Sequence, residues 1–235
     1  MHAQHPAVRA VIEALRAGGR VRDSSFDAIY PEDVRRVSAR FWTPVEVARL
    51  AARWLASEGV RSLVDVGSGA GKFCIVASLN MGQRVTGLEQ RATLLEAAQS
   101  ASLAYGASTK FEHGTLESLD PNAYDAFYLF NPFGENLYPV GEQFDTAPEL
   151  SSLRYSHDLS IFEHWLDYAN AGTCVVTYHG FGGRIPNTYE LKRALPKGSD
   201  YLRLWKKVRP GFADSHSLER NHTVMTCKRR SAPTT

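Results

Sequence analysis

Residues 61–71 read Arg-Ser-Leu-Val-Asp-Val-Gly-Ser-Gly-Ala-Gly. Leu63, Val64 and Val66 form a short apolar run of the kind that a parallel strand buries on both faces. Gly67, Gly69 and Gly71 follow at alternate positions, and a helical pattern begins at Lys72. A strand that enters a helix through a glycine-rich turn lets backbone N–H groups and a helix N-terminus approach a ligand closely. Its usual setting is an open, doubly wound α/β sheet. The same turn can also form with no ligand at all, so the rest of the chain has to decide.

The glycine spacing separates the cofactor classes. A dinucleotide fingerprint places its third glycine five positions after the first. Gly71 is four positions after Gly67, and Lys72 occupies the fingerprint position. No Gly-Lys-Ser/Thr sequence is present, which excludes a phosphate-binding P-loop. Residues 84–89 read as a second strand ending in Glu89, 22 positions after Gly67. An acidic residue there accepts hydrogen bonds from ribose hydroxyls, so the pair points to a nucleoside cofactor.

Beyond the turn, helices and strands alternate. The pattern predicts helix 72–81, strand 84–88, helix 91–104, strands 108–112 and 125–130, helix 151–169 and strand 173–178. Such a series builds a parallel sheet with helices on both faces. A short helix over 187–196 is expected from an Asn187…Glu190 capping box. Strands 201–208 and 221–228 then close an antiparallel hairpin across a connection containing Gly211. Upstream, Val8, Val11, Ile12 and Leu15 define an amphipathic helix over 6–17, ended by Gly18-Gly19. Thr43-Pro44-Val45-Glu46 reads as a capping box opening another helix. Between them, Phe26, Tyr30, Phe41 and Trp42 make residues 20–42 too aromatic for a linker. That segment either closes over the cofactor as a lid or fills core.

The string Asp65-x-Gly67-x-Gly69-x-Gly71 resembles motif I of the class I S-adenosylmethionine (SAM) methyltransferases. Asn131-Pro132-Phe133, at the end of the fourth strand, resembles motif IV of the amino-directed members, with one proline where that family has two. Phe41-Trp42-Thr43-Pro44 is similar to the F-x-T-P of motif X in adenine-directed enzymes, where a threonine lies near the SAM carboxylate. The segments Trp42–Ala48, Gly67–Cys74 and Gly87–Arg91 also resemble a group of bacterial methyltransferase-domain proteins. The Asn-Pro-Phe turn is similar as well to that of the non-SET histone-lysine methyltransferases. The resemblance covers residues 43–229. It implies a Rossmann-like seven-stranded sheet, mostly parallel with an antiparallel C-terminal hairpin, flanked by helices. Residues 1–42 are then a helical extension, 43–230 the methyltransferase domain and 231–235 a disordered tail.

The same resemblance assigns the site. Thr43, Asp65, Gly67, Ser68, Gly69, Gly71, Glu89, Gln90, Thr115, Leu116 and Asn131 are the expected SAM-binding residues. Asn131, Pro132 and Phe133 are the expected catalytic group. An amide oxygen at 131 can accept a hydrogen bond from a target N–H, the Pro132 carbonyl can do the same, and Phe133 can stack on a flat acceptor. As plain structure, Asn-Pro starts a turn and Phe133 is core. Thr115 stands where the family often has an acidic residue for the adenine amino group; alternatively it caps residues 116–119. His179, after the fifth strand, could act as a base or be structural. The long loop over 133–150 is expected to shape the acceptor pocket.

Composition sets the remaining bounds. The chain has 235 residues, 43% apolar and 22% charged, with a net charge of +2. No apolar run approaches the length of a membrane span, and no secretion leader is evident. Cys74, Cys174 and Cys227 are far apart, so buried thiols in a reducing cytoplasm are expected, and no metal site. Residues 61–180 carry 6 basic and 14 acidic side chains, a balance of −8, whereas residues 181–235 carry 12 and 4, a balance of +8. The basic end could meet nucleic acid, or it could be solvated strand edges guarded by Lys206 and Lys207. The expected acceptor is a nitrogen of a protein or nucleic acid. A small-molecule acceptor and a non-catalytic nucleoside-binding module are the alternatives.

Overall fold

The computed structural model describes residues 6–198 and 200–209. The strand expected at 221–228, with Gly211, Cys227 and the tail at 231–235, lies outside them. Among the described residues, seven strands form one sheet: β1 (Ser62–Val66), β2 (Arg84–Glu89), β3 (Thr109–His113), β4 (Ala126–Phe130), β5 (Cys174–Tyr178), β6 (Tyr189–Lys197) and β7 (Asp200–Lys207). Their order is β3-β2-β1-β4-β5-β7-β6. The first five strands are parallel, and β7 pairs antiparallel with both β5 and β6. β1 and β4 are flanked on both sides, and their apolar runs are buried accordingly. Chain order reverses between β1 and β4, so a crevice opens beyond the carboxyl ends of those strands.

Among the described residues, eight α-helices accompany the sheet: α1 (Pro6–Arg16), α2 (Asp23–Asp27), α3 (Glu32–Arg36), α4 (Ser38–Phe41), α5 (Val45–Ser57), α6 (Lys72–Met81), α7 (Ala92–Tyr105) and α8 (Ser152–Tyr168). Two apolar clusters fill the layers between helices and sheet. The larger joins Leu15, Phe26, Tyr30, Val34 and Trp42 to Leu55, Ile75 and Tyr105. The second sits under α8 around Phe127, Phe162 and Trp165. The side chains of Phe26, Tyr30 and Val34 are therefore part of the core rather than of a detached lid. Phe26 stacks on Tyr105 at 4.6 Å, and the Tyr30 hydroxyl donates to the Ala70 carbonyl at 2.9 Å. No helix among the described residues is long and apolar enough to cross a membrane.

Three sequence expectations need correction. Residues 189–197 form β6, not a helix. Their residues favour helix locally, but the open edge of β7 offers a ladder from Tyr189 to Lys197, and pairing overrides propensity. Pro196 is tolerated because β6 is the edge strand. The antiparallel hairpin among the described residues is accordingly β6–β7, turned at Gly198; the expected partner at 221–228 lies outside them. Second, Lys207 does not guard an edge. β7 is an inner strand, and the buried Lys207 ammonium donates to the Leu166 and Asp167 carbonyls, both at 2.8 Å. Lys206 pairs with Glu58 at 3.0 Å. Third, the Thr43 capping box does not form. The Thr43 hydroxyl lies 2.9 Å from the Tyr128 hydroxyl, and Asp23 Oδ1 accepts from the Val45 N–H at 2.9 Å instead. Glu46 turns outward to Lys197.

Candidate active site

A cavity of about 380 Å³ occupies the crevice at the carboxyl ends of β1, β2, β4 and β5. Its size falls in the range of small-molecule sites. Of the expected site residues, Gly67, Gly69, Glu89, Gln90, Thr115, Leu116, Asn131, Pro132 and Phe133 line it. Thr43, Asp65, Ser68 and Gly71 do not, and each has a structural explanation. Thr43 is spent on Tyr128. Asp65 is buried beneath the turn, where the Cys74 thiol donates to it at 3.3 Å. Ser68 is held by its backbone, its N–H donating to the Leu88 carbonyl at 2.8 Å. Gly71 faces Phe111 and Ala98, which a Cβ would strike at 2.7 and 2.9 Å.

The glycine turn is packed by protein more tightly than the sequence implies. Gly69 has φ +54, and a Cβ there would come within 2.2 Å of the Trp42 ring. Trp42 is anchored by donating from Nε1 to the Val34 carbonyl at 3.1 Å. A Cβ on Gly67 would sit 3.0 Å from Pro132 Cβ, so the turn abuts the Asn-Pro-Phe segment. The turn is also tied to the N-terminal helices. Lys72, the first residue of α6, is buried with its ammonium 2.5 Å from Asp23 and 2.9 Å from Asp27. A buried cation at a helix N-terminus opposes the helix dipole, and these carboxylates offset it.

Glu89 links turn and cavity. Its Oε2 accepts from the Gly69 N–H at 2.8 Å and its Oε1 from the Arg91 N–H at 2.9 Å. Burial raises its pKa, opposed by those backbone hydrogen bonds. Burial pushes the Asp65 carboxyl up to about 8; the Cys74 hydrogen bond opposes this and the nearby Glu89 charge adds to it. Val66, Leu88, Leu94 and Leu116 give this end of the cavity an apolar lining. Thr115 does not cap the following 3-10 turn with its side chain. Its hydroxyl donates to Glu117, which is held down to about 2 by that bond first and by His157 second.

The opposite end is built by β4, β5, α8 and the 133–150 loop. Asn131 has φ +43, its N–H donates to the Gly180 carbonyl at 3.0 Å, and its amide lies over Gly134, where a Cβ would leave no room. Phe133 is only 4% exposed and packs towards Phe162 with ring centres 6.3 Å apart. Its ring thus contributes a core wall rather than a free stacking platform. Arg154 donates from Nε to Asp158 Oδ2 at 3.1 Å at this wall, and burial raises the Asp158 pKa against that partner.

Residues missed in the sequence close the cavity. Arg91 is buried and bridges Glu135 at 3.1 Å and Asp145 at 2.8 Å. These two pairs pin the 133–150 loop, and Phe144 on that loop meets Trp42 edge-on with ring centres 6.0 Å apart. Arg40 holds the same loop through Glu142 at 2.9 Å. Nothing local marks Arg91 for this role, since its partners are 44 and 54 residues away.

The chain is similar to three solved structures with this layout. One is a candidate O-methyltransferase from Klebsiella pneumoniae, with TM-score 0.55 and 15% identity, covering 85% of this chain and 97% of that one. Another is TrmN from Thermus thermophilus, with TM-score 0.51 and 16% identity, covering 74% and 52%. The third is an RNA methyltransferase from Salinibacter ruber in complex with S-adenosyl-L-homocysteine, with TM-score 0.50 and 21% identity, covering 71% and 94%. The chain has the class I methyltransferase fold. No protein-family model and no curated protein sequence matches it. Within the class I fold, the cavity lies at the topological switch point, where open α/β sheets take their ligands.

Proposed function

We propose that the protein is a methyltransferase that uses SAM and delivers the methyl group to a nitrogen of a protein or nucleic acid. One observation carries this reading: the glycine turn and the Asn-Pro-Phe segment touch at Gly67 and Pro132 and open onto a single cavity. A methyl donor bound along the turn would thus be next to an acceptor bound at Asn131. The residues fit the cofactor. Glu89 retains acceptor capacity for a ribose diol beyond the two bonds it makes, and the leucines form an apolar slot for a nucleobase. Bound there, SAM supplies a methyl group already activated by its sulfonium. The protein's task is to position the acceptor and exclude water. Asn131 accepts a hydrogen bond from the acceptor N–H and orients its lone pair, held in place by the rigid strand end.

A small-molecule acceptor is the second reading. It is favoured by the aromatic side chains that line the cavity, Phe41, Trp42, Phe130, Tyr138 and Phe144. The test comes in two steps. Calorimetry with S-adenosylhomocysteine should give binding that Glu89→Ala weakens by about 1–3 kcal/mol, as for a charge-assisted hydrogen-bond pair. Tritiated SAM is then incubated with cell extract separated into protein, RNA, DNA and small-molecule fractions; the labelled fraction identifies the acceptor class. Failure to bind SAM or S-adenosylhomocysteine would remove the proposal.

A further inference from the structure

The cavity wall carries one more group with the chemistry of a proton acceptor. His179 follows β5 in the left-handed region, at φ +60. Among the described residues, the only other non-glycine residue with positive φ is Asn131, and both line the cavity. Strained backbone of this kind persists where the surroundings over-determine it, and it concentrates at functional sites. The Asn131 N–H to Gly180 carbonyl bond ties the two strand ends together. The His179 ring is set against Phe130 and Tyr178, with centres 5.3 and 4.4 Å away. Its Nδ1 lies 3.4 Å from Oδ2 of Asp200, the first residue of β7. No described residue hydrogen-bonds Nε2.

The carboxylates of the cavity are already engaged. Glu89 accepts two backbone N–H groups, Glu135 is paired with Arg91, and Asp158 with Arg154. Those carboxylates are held by backbone N–H groups or arginines, whereas the His179 ring has no described partner at Nε2 and shares the cavity wall with Asn131. A base oriented by a second group and facing a cavity is the arrangement expected of general-base catalysis, and such contacts are often long before substrate binds.

We propose that His179 is the proton acceptor of the methyl-transfer step and that Asp200 is its positioning residue; this rests on the methyltransferase reading above. The acceptor nitrogen forms its bond to the methyl carbon as the carbon–sulfur bond breaks, and that electron pair stays on sulfur. The proton of the acceptor N–H passes to His179 Nε2. Asp200 accepts from Nδ1–H, which fixes the tautomer that leaves Nε2 bare and stabilises the imidazolium that forms.

Two measurements test this. Nitrogen-15 shifts of the His179 ring, assigned by comparison with His179→Gly, should report a protonated Nδ1 and a bare Nε2, with mixed tautomers in Asp200→Ala. A wild-type ring protonated at Nε2 instead would overturn the proposal without any assay of activity. Transfer of tritiated methyl to the labelled extract fraction should fall about 10²-fold in His179→Gly, a substitution that relieves the backbone strain and leaves space in the wall. Added imidazole should restore part of it, and S-adenosylhomocysteine affinity should be unchanged. Asp200→Ala should lose about tenfold and Asp200→Glu should recover most of that. Full transfer by His179→Gly, or no rescue by imidazole, refutes the role of His179. Absence of label with the wild type refutes the methyltransferase reading instead, and this inference with it.

Discussion

Gly69 and Trp42 should be energetically coupled, although 27 positions separate them. An alanine at 69 would put its Cβ 2.2 Å from Trp42 Cζ3 and 2.6 Å from Cε3. Carbon atoms prefer roughly 3.5–4.0 Å, so the overlap exceeds what a small shift can absorb. The indole cannot simply swing away, because it is 7% exposed, bonded to Val34 and packed on Phe144. Overpacking of this sort costs about 1–3 kcal/mol. The left-handed backbone at φ +54 adds about 1–2 kcal/mol for any residue with a Cβ. Gly69→Ala should therefore lose about 2–5 kcal/mol in urea denaturation. In a Trp42→Leu background only the backbone part should remain, leaving a coupling of about 1–3 kcal/mol in the double-mutant cycle. If Gly69→Ala costs the same with and without the indole, the packing explanation of this glycine is wrong. The same geometry bears on cofactor studies: a substitution at Gly69 displaces Trp42 before it meets any ligand, so loss of binding in that variant is not evidence of contact.

Three further outcomes are expected. Asn131→Gly should leave stability unchanged or raise it by up to about 1 kcal/mol, since glycine accepts φ +43 without strain, yet cut methyl transfer by roughly 10²-fold; full transfer would end the assignment of Asn131. Asp65 titrates near 8 when folded and near 3.9 when unfolded, so between those values the folded state holds more protons and stability declines as pH rises. Asp65→Asn keeps an acceptor for Cys74 and should flatten that decline over about pH 4–8 in denaturation curves; an unchanged slope would show that Asp65 ionises in the fold. Arg91→Met breaks both pairs to the 133–150 loop and should speed amide exchange over 135–145, while residues 26–34 stay protected with or without S-adenosylhomocysteine. Unchanged exchange in the loop would mean that Arg40 and the aromatic contacts suffice to hold it.

The alternating series from β1 to β5 was legible because each element carries its own signal. Apolar runs such as Leu63–Val66 specify buried strands, and glycine or proline punctuation marks where they stop. The strand over 200–207 was legible, but residues 189–197 were not, because Tyr189–Lys197 has helix-forming residues and only the free edge of β7 makes it a strand. Thr43 misled for a similar reason. A capping box is a local pattern, but the hydroxyl found a partner 85 residues away in Tyr128, and the cap came from Asp23.

Sequence alone determined the parallel sheet, the glycine turn, the acidic end of β2 and the Asn-Pro turn at the end of β4. All of these follow from periodicity and backbone chemistry over a few residues, which short-range sterics and hydrophobic burial impose. Tertiary structure decided what walls the cavity. It set Trp42 against Gly69, Lys72 between Asp23 and Asp27, Arg91 between Glu135 and Asp145, and His179 across from Asp200. Each of those contacts joins residues at least 20 apart in the chain, whose proximity depends on how the sheet stacks its crossovers, and no local pattern encodes that distance.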